Sequence, residues 1–291
     1  MYVLGLDRDA TIAKRVSRRI RATFKQVVIA PFPDGEHKIT LPRLGGKTVV
    51  IVKTMMPAND ALIDLIFTSE TCRELGVKKI IFVCPYLGYM RQDKRFHVNE
   101  VISAPIMGKL LSRYCDVLIT IDPHLHRIKQ LSEVFSCRTK TLSANKILAD
   151  YINKKIPNGV IIGPDIESSQ WDAAIAKMTH ISYRILHKVR KSSYNVKIKF
   201  DDSLSVTGKN VIIVDDIIST GRTLLKTIKH IKQFNPRGIY CLGVHGLLIG
   251  DAAEKIRKTG AKLICTNTLP NDYDKIDVSE LIGDSILRLK L

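Results

Sequence analysis

Five short runs of this chain are almost wholly apolar and rich in β-branched residues: Thr48 to Val52, Lys79 to Cys84, Val117 to Ile121, Gly159 to Ile162 and Val211 to Val214. None alternates polar with apolar residues, so each reads as a strand covered on both faces. Each leads towards a helix-like pattern. Asn59 to Leu75 carries Leu62, Leu65 and Ile66 on one face, and Val101 to Leu111 follows the next strand similarly. Both are predicted to be crossover helices. Buried strands alternating with helices imply parallel α/β layers. A length of 291 residues suits two domains of ordinary size. The first series ends near Thr139 to Asn145 and a second begins with Lys146 to Ile152, so the expected domains are 1–142 and 143–291. They read as similar architectures without sequence repetition, and the tail Ser285 to Leu291 can return to the first as an extra element.

The balance of 46 Lys and Arg against 28 Asp and Glu gives a formal charge of +18. That favours anionic partners, without ranking nucleotides, sugar phosphates, nucleic acids and membrane surfaces. No stretch has the uninterrupted apolar length of a membrane helix, and the first residues do not resemble a secretion signal, so a cytoplasmic protein is expected. Cys72, Cys84, Cys115, Cys137, Cys241 and Cys265 stand singly with no CxxC pair. They read as reduced core residues rather than zinc ligands or a disulfide framework. Residues 11–25 place Ile12, Val16, Ile20 and Phe24 four apart, with Lys14, Arg15, Arg18, Arg19 and Arg21 mainly on other faces. This is an amphipathic helix whose basic face is expected in solvent; a nucleic-acid or lipid surface is the lesser alternative.

Chemistry concentrates at the fifth apolar run. Val211 to Lys226 passes from β-branched residues into the paired acids Asp215 and Asp216, then Ser219-Thr220-Gly221-Arg222-Thr223, then Leu224, Leu225 and Ile228 at helical spacing. The pattern is strand, turn, helix. At such a turn backbone N–H groups and the positive end of the helix dipole can hold a phosphate, with Thr220 and Thr223 hydroxyls adding donors. The acids would repel that phosphate unless they accept sugar hydroxyls or sit beside a cation, so the combination points to a phosphorylated sugar. An ordinary capped turn with solvated acids is the plain alternative.

Four further segments carry candidate residues. Tyr86 to Arg95 follows a strand end and holds Arg91, Lys94 and Arg95 within five residues, which suits a triphosphate; a surface ion pair of Arg91 with Asp93 is the simpler account. Phe32-Pro33-Asp34-Gly35-Glu36 is a turn with one aromatic and two acids. Ile121 to His126 sets His124 and His126 on one side of an extended segment, with no HExxH pattern to make them a hydrolytic metal site. Gly163 to Trp171 follows another buried strand, and its small Ser168 and Ser169 either let an anion approach a helix start or merely cap it. Beyond these, Arg184 to Lys199 contains six cations and no acid, ordinarily a solvated loop.

The run Asp215 to Gly221, closing on Thr223, resembles the phosphoribosyl pyrophosphate (PRPP) loop shared by phosphoribosyltransferases and ribose-phosphate diphosphokinases. It does not choose between them, and it departs from the pattern at Arg222, where the family usually has a small residue. The Tyr-rich segment running into Arg91-Gln92-Asp93 is similar to the ATP-contacting segment of the diphosphokinases, which ordinary phosphoribosyltransferases lack. Segments of this kind in order, from Phe32 to Thr223, make the chain resemble the ribose-phosphate diphosphokinase family over most of its length.

That resemblance implies two α/β domains with parallel sheets of the type I phosphoribosyltransferase kind. It implies transfer of the β,γ-diphosphoryl group of MgATP to the anomeric hydroxyl of ribose 5-phosphate, giving PRPP and AMP. ATP would be held by Phe32, Asp34, Glu36, Arg91, Gln92 and Asp93, the first three reaching across from a neighbouring subunit of a homo-oligomer. His124 and Asp165 would organise Mg2+ and phosphate, although imidazole is an unusual ligand for so hard an ion; His126 is expected to be structural. Lys188 and Arg190 match a Lys-x-Arg pair on a mobile flap and, with His124, are the expected catalytic residues. Asp215, Asp216, Ser219, Thr220, Gly221, Arg222 and Thr223 would bind ribose 5-phosphate, the two acids taking ribose hydroxyls or a second Mg2+. A phosphoribosyltransferase that consumes PRPP, or a catalytically silent regulatory relative, are the alternatives; a membrane role is not expected and a nucleic-acid role ranks last.

Overall fold

In the computed structural model, which describes residues 1–95, 97–125, 127–164, 169–185, 187–190, 196–199 and 206–289, with backbone alone for 169–170, 185, 187–190 and 196–199, the five apolar runs are interior strands of two sheets. Each sheet belongs to its own compact unit. The first unit comprises Met1–Ser143, Thr268–Pro270 and Asp277–Leu291; the second comprises Ala144–Asn267 and Asn271–Ile276.

In chain order the first unit contains β1 (Tyr2–Leu6), α1 (Ala10–Arg19), β2 (Thr23–Pro31), β3 (His37–Thr40), β4 (Thr48–Val52), α2 (Ala58–Glu74), β5 (Lys79–Cys84), α3 (Ser103–Leu111), β6 (Val117–Ile121) and β7 (Arg138–Leu142). Its sheet runs β3-β2-β1-β4-β5-β6-β7. All neighbours are parallel except the hairpin β2–β3. Leu4, Ile51, Phe82 and Leu118 are wholly buried in its core. The outer strands escape the apolar pattern because they keep polar residues: of the nine in β2, Val27 alone is buried.

Two sequence expectations change here. Helix α1 stops at Arg19, Arg21 takes a left-handed φ of 53°, and Phe24 belongs to β2 rather than to the helix. Its basic face is also partly paired, since Arg15 and Arg19 meet Asp277 and Asp284 at 2.8 and 2.6 Å. On α2 the buried stripe is Ala61, Asp64, Leu65, Thr68, Ser69 and Cys72, whereas Leu62 and Ile66 are only half-buried. Polar partners turn the helix: Asp64 meets Lys53, and the Ser69 hydroxyl donates to the Tyr114 carbonyl.

The second unit contains α4 (Asn145–Lys155), β8 (Gly159–Gly163), α5 (Ser169–Thr179), β9 (Tyr183–Ile185), β10 (His187–Arg190), β11 (Val196–Lys199), β12 (Asn210–Ile218), α6 (Arg222–Ile231), β13 (Gly238–Gly246), α7 (Ala252–Lys258), β14 (Lys262–Thr266) and β15 (Asp274–Ile276). Its parallel sheet runs β15-β14-β13-β12-β8-β9, and β10–β11 form a separate antiparallel hairpin. Strand β12 outlasts the predicted Val211 to Val214 because β13 keeps pairing with it, Asp215 opposite Gly243 and Ile218 opposite Gly246. The chain closes with α8 (Ser279–Leu287), packed on α1 within the first unit.

Asp9, just after β1, is 1% exposed. Its Oδ2 accepts the Thr54 N–H at 3.0 Å, while Oδ1 has no hydrogen-bond partner among the described residues. Burial pushes its pKa up from 3.8 to about 6, against the opposing pull of the Thr54 N–H and Lys53. A folded carboxyl that keeps its proton longer than the unfolded one costs stability as pH rises through the interval from 3.8 to about 6. Asp9→Asn should therefore gain on the parent between pH 4 and pH 7, by at most about 3 kcal/mol in urea unfolding. A stability difference that does not change with pH would contradict a buried, protonatable Asp9.

Candidate active site

The carboxyl ends of the parallel strands carry most of the described candidate residues, as expected for parallel sheets whose faces are covered. In the second unit β12 ends at Ile218, and Gly221 turns the chain into α6 with φ 68°. A Cβ there would be strained and would lie 3.1 Å from Ile256 Cδ1, so glycine serves both the backbone and the close packing of α7. Gly221 is the N-cap, and no side chain caps the helix among the described residues. The first-turn amides are thus open to an external acceptor. The residue with positive φ is Gly221, while Arg222 is the first helical residue and exposed. Its departure from the family pattern carries no backbone strain.

Ser219 and Thr223 are half-buried and Thr220 is exposed beside this turn. The loop after β13 fastens it, with Leu248 and Ile249 N–H groups donating to the Ile218 and Ser219 carbonyls at 3.0 and 3.1 Å. Asp215 and Asp216, being consecutive in a strand, start from opposite faces of the sheet. Asp215 is half-buried; Asp216 is buried and accepts the Ile217 N–H at 2.8 Å. Both border a cleft shared with Asn145, Leu148 and Trp171.

In the first unit two neighbouring strands bring Arg91, Gln92, Asp93 and His124 into adjacent loops. The segment after β5 buries Tyr86 and Leu87 and leaves Arg91 exposed, with Gln92 and Asp93 half-buried. After β6 the chain turns through Asp122 and Pro123 to the half-buried His124. The Pro85 carbonyl accepts the Ile121 N–H at 3.4 Å, and Asp93 Oδ2 accepts the Arg127 N–H at 2.6 Å. Asp93 thus ties the two loops.

Phe32, Asp34 and Glu36 form the exposed turn between β2 and β3. The turn is self-supporting: Phe32 N–H donates to the Glu36 carbonyl at 2.7 Å, and Glu36 N–H to Asp34 Oδ1 at 3.2 Å. Phe32 is 48% exposed, an aromatic side chain about half open to solvent. In strand order β2 lies three places from β5, about 14 Å at the usual spacing. The turn and the Arg91 loop therefore occupy the same end of the sheet without adjoining.

Sequence reasoning missed what anchors this turn. His37, next in the chain, has Nδ1 2.7 Å from Asp64 Oδ1, and Lys53 Nζ lies 3.1 Å from Asp64 Oδ2. Lys53 and Asp64 are 4% and 1% exposed. A buried ion pair is tolerable when both carboxylate oxygens are matched, and here each has its own nitrogen partner. The available signal was a lysine closing an apolar strand run, with an acid on the helix that follows. Beside the anchor, Glu36, His37, Asp60, Ile63 and Phe67 border a cleft of about 340 Å3.

Lys188 and Arg190 lie in β10, opposite Ile198 and Val196 of β11; their side chains, and Asp165, Ser168 and His126 altogether, lie outside the described residues. Among the described residues no group of three or more His, Cys, Asp or Glu stands together as metal ligands do, and no helix is long and apolar enough to cross a membrane.

Comparison with known proteins places this geometry. Residues 1–114 match the N-terminal domain of ribose phosphate pyrophosphokinase, and residues 136–277 match the phosphoribosyl transferase domain. The ribose-phosphate pyrophosphokinase of Pyrococcus furiosus is 33% identical over 258 residues, 89% of this chain and 91% of its own. That of Methanopyrus kandleri is 30% identical over 99% of each chain, and that of Saccharolobus solfataricus is 33% identical over 98% of this chain and all of its own. The crystal structure of phosphoribosylpyrophosphate synthetase from Mycobacterium smegmatis shares the fold, with a TM-score of 0.81 over 98% of this chain and 97% of its own at 22% identity. Matched at both domains and along nearly its whole length, the chain belongs to the ribose-phosphate pyrophosphokinase family.

Proposed function

We propose that this protein is an enzyme that transfers the β,γ-diphosphoryl group of ATP to O1 of ribose 5-phosphate, releasing PRPP and AMP. The observation that supports this reading is the presence in one chain of two distinct strand-end loops suited to phosphate: the turn Ser219 to Thr223 after β12, and the Arg91-Gln92-Asp93 loop tied to the His124 loop after β5 and β6. An enzyme that only consumes PRPP has no use for the second.

The sugar 5-phosphate sits at the open N-terminus of α6, taking the first-turn amides and the Ser219, Thr220 and Thr223 hydroxyls, with Arg222 as an added cation. Asp215 and Asp216 accept ribose hydroxyls and orient O1. Arg91 and Gln92 hold the ATP phosphates, and Asp93 keeps their loop against that of His124. The Phe32 ring stacks on adenine while Asp34 and Glu36 accept from its exocyclic amine. That turn serves the site of a second subunit, so the working form is a homo-oligomer in the cytoplasm.

O1 attacks the β-phosphorus in line and gives up its hydroxyl proton to solvent, the bond from that phosphorus to the α,β-bridging oxygen breaks, and AMP leaves with that oxygen. No covalent enzyme intermediate is required; positioning and neutralisation of charge supply the rate. Lys188 and Arg190 meet the charge that grows on the transferred oxygens. Magnesium, when bound, draws negative charge from the phosphates. A hard ion carried largely by substrate phosphates would take carboxylate oxygen from Asp215 or Asp216 beside the phosphate turn, with His124 and Asp165 the further candidates.

Purified protein given ATP, ribose 5-phosphate and Mg2+ should form AMP and PRPP in equal amounts, and no AMP without the sugar; ATP binding without AMP would leave a silent relative instead. Lys188→Ala should lower kcat by about 100-fold or more while ATP binding changes little, as befits a contact strengthened in the transition state. Phe32→Ala should raise the KM for ATP by roughly 2- to 10-fold, the worth of a stacked ring. His37→Ala should raise it similarly and His37→Asn, which can still donate to Asp64, should not. Equal KM values for both His37 variants would remove the anchoring role while leaving Phe32 to be judged on its own.

A further inference from the structure

Cys115 and Cys137 are 22 positions apart, but their Sγ atoms stand 3.7 Å from one another. Cys115 lies just ahead of β6 and Cys137 directly ahead of β7, parallel neighbours whose register sets Val117 opposite Arg138. The surrounding frame is tight. Ser112 Oγ donates to the Gly108 carbonyl at 2.6 Å and accepts the Ser136 and Cys137 N–H groups at 3.0 and 3.3 Å. Gly108 of α3 lies so close to Val134 that an added Cβ would sit 2.2 Å from its carbonyl oxygen. Helix α3 and the approach to β7 are therefore held together with the two thiols between them.

The pair differs chemically from the other cysteines. Cys72, Cys84, Cys241 and Cys265 are buried, and desolvation pushes each thiol up. Cys137 is only half-buried, and the Cys115 thiol, donating to it, draws it down from 9.0 to about 7. Cys115 is pushed up by the same hydrogen bond and by burial. The contact biases Cys137 towards the thiolate and Cys115 towards the protonated thiol, with the two sulfurs in reach of one another, the division of labour that thiol oxidation needs.

We propose that Cys115 and Cys137 are a modification site, a dithiol that hydroperoxides oxidise to an intrachain disulfide. The Cys137 thiolate attacks one peroxide oxygen, the O–O bond breaks, and Cys137 becomes a sulfenic acid while the departing oxygen takes a proton and leaves as water, or as an alcohol from an organic hydroperoxide. The Cys115 sulfur then gives up its proton, attacks the sulfenic sulfur and displaces its hydroxyl as a second water. Two thiols lose two protons and two electrons, and one peroxide is reduced. The sulfurs need to close by less than about 2 Å to reach bonding distance. The new ring encloses β6 and the Asp122-Pro123-His124 turn, so oxidation ties the base of the loop that carries His124.

The test is hydrogen peroxide on the intact protein, followed by denaturing thiol titration and peptide mapping. Titratable thiols should fall by two from six, with a Cys115–Cys137 linked peptide, a mass loss of about 2 Da for the two hydrogens, and reversal by dithiothreitol. Cys115→Ser should leave a sulfenic acid at Cys137 that dimedone captures, and Cys137→Ser should abolish both products. The oxidised protein should melt several degrees higher, roughly as expected for closing a ring of this size. Retention of all thiols, a linkage between chains, or dimedone capture at another cysteine would overturn the proposal.

Discussion

Parallel strands covered on both faces leave only their ends for chemistry. Because β1, β4, β5 and β6 in one sheet and β8, β12 and β13 in the other are parallel, their carboxyl ends fall on one edge of each sheet. Loops leaving that edge carry Lys53, Arg91, His124 and Ser219, while side chains such as Ile51, Phe82, Ile162 and Ile213 fill the interior. Ladder hydrogen bonds fix the spacing of neighbouring ends, so the site inherits its geometry from the core. The Asp93–Arg127 bond across the β5 and β6 loops exists because those strands are neighbours.

The buried group Lys53, Asp64 and His37 shows the same dependence from the other direction. Taking a lysine and an aspartate out of water costs several kcal/mol before they attract each other. That cost is recovered only when geometry is exact enough for both carboxylate oxygens to be matched, as they are here. The group therefore makes the position of the β2–β3 hairpin depend on β4 and α2, and an exposed aromatic turn acquires a fixed base.

What could be read in the sequence follows from locality. Interior strands are legible because burial on both faces writes a continuous apolar run, as in Val117 to Ile121. The edge strand β3 and its neighbour β2 mix polar and apolar residues and were hidden. Phe24 continued the spacing of Ile12, Val16 and Ile20 by coincidence, because the left-handed Arg21 breaks the helix before it. The phosphate turn was legible because a strand end, a glycine and a helix start are contiguous. Asp64 and the Cys115–Cys137 pair were not, since each owes its meaning to residues brought close by strand order rather than by spacing.

Arg222 joins these threads. A cation in the first turn of a helix opposes the positive end of the dipole, an unfavourable placement of about 0.3–1 kcal/mol for an exposed group. Among the described residues nothing requires it, because Gly221 supplies the left-handed turn and Arg222 is exposed. The opposition reverses when an anion occupies the helix end, for the arginine and the amides then share one acceptor. Arg222 is thus mildly unfavourable at a bare helix end and favourable beside an anion. In the proposed site it would act with the backbone donors on the sugar phosphate.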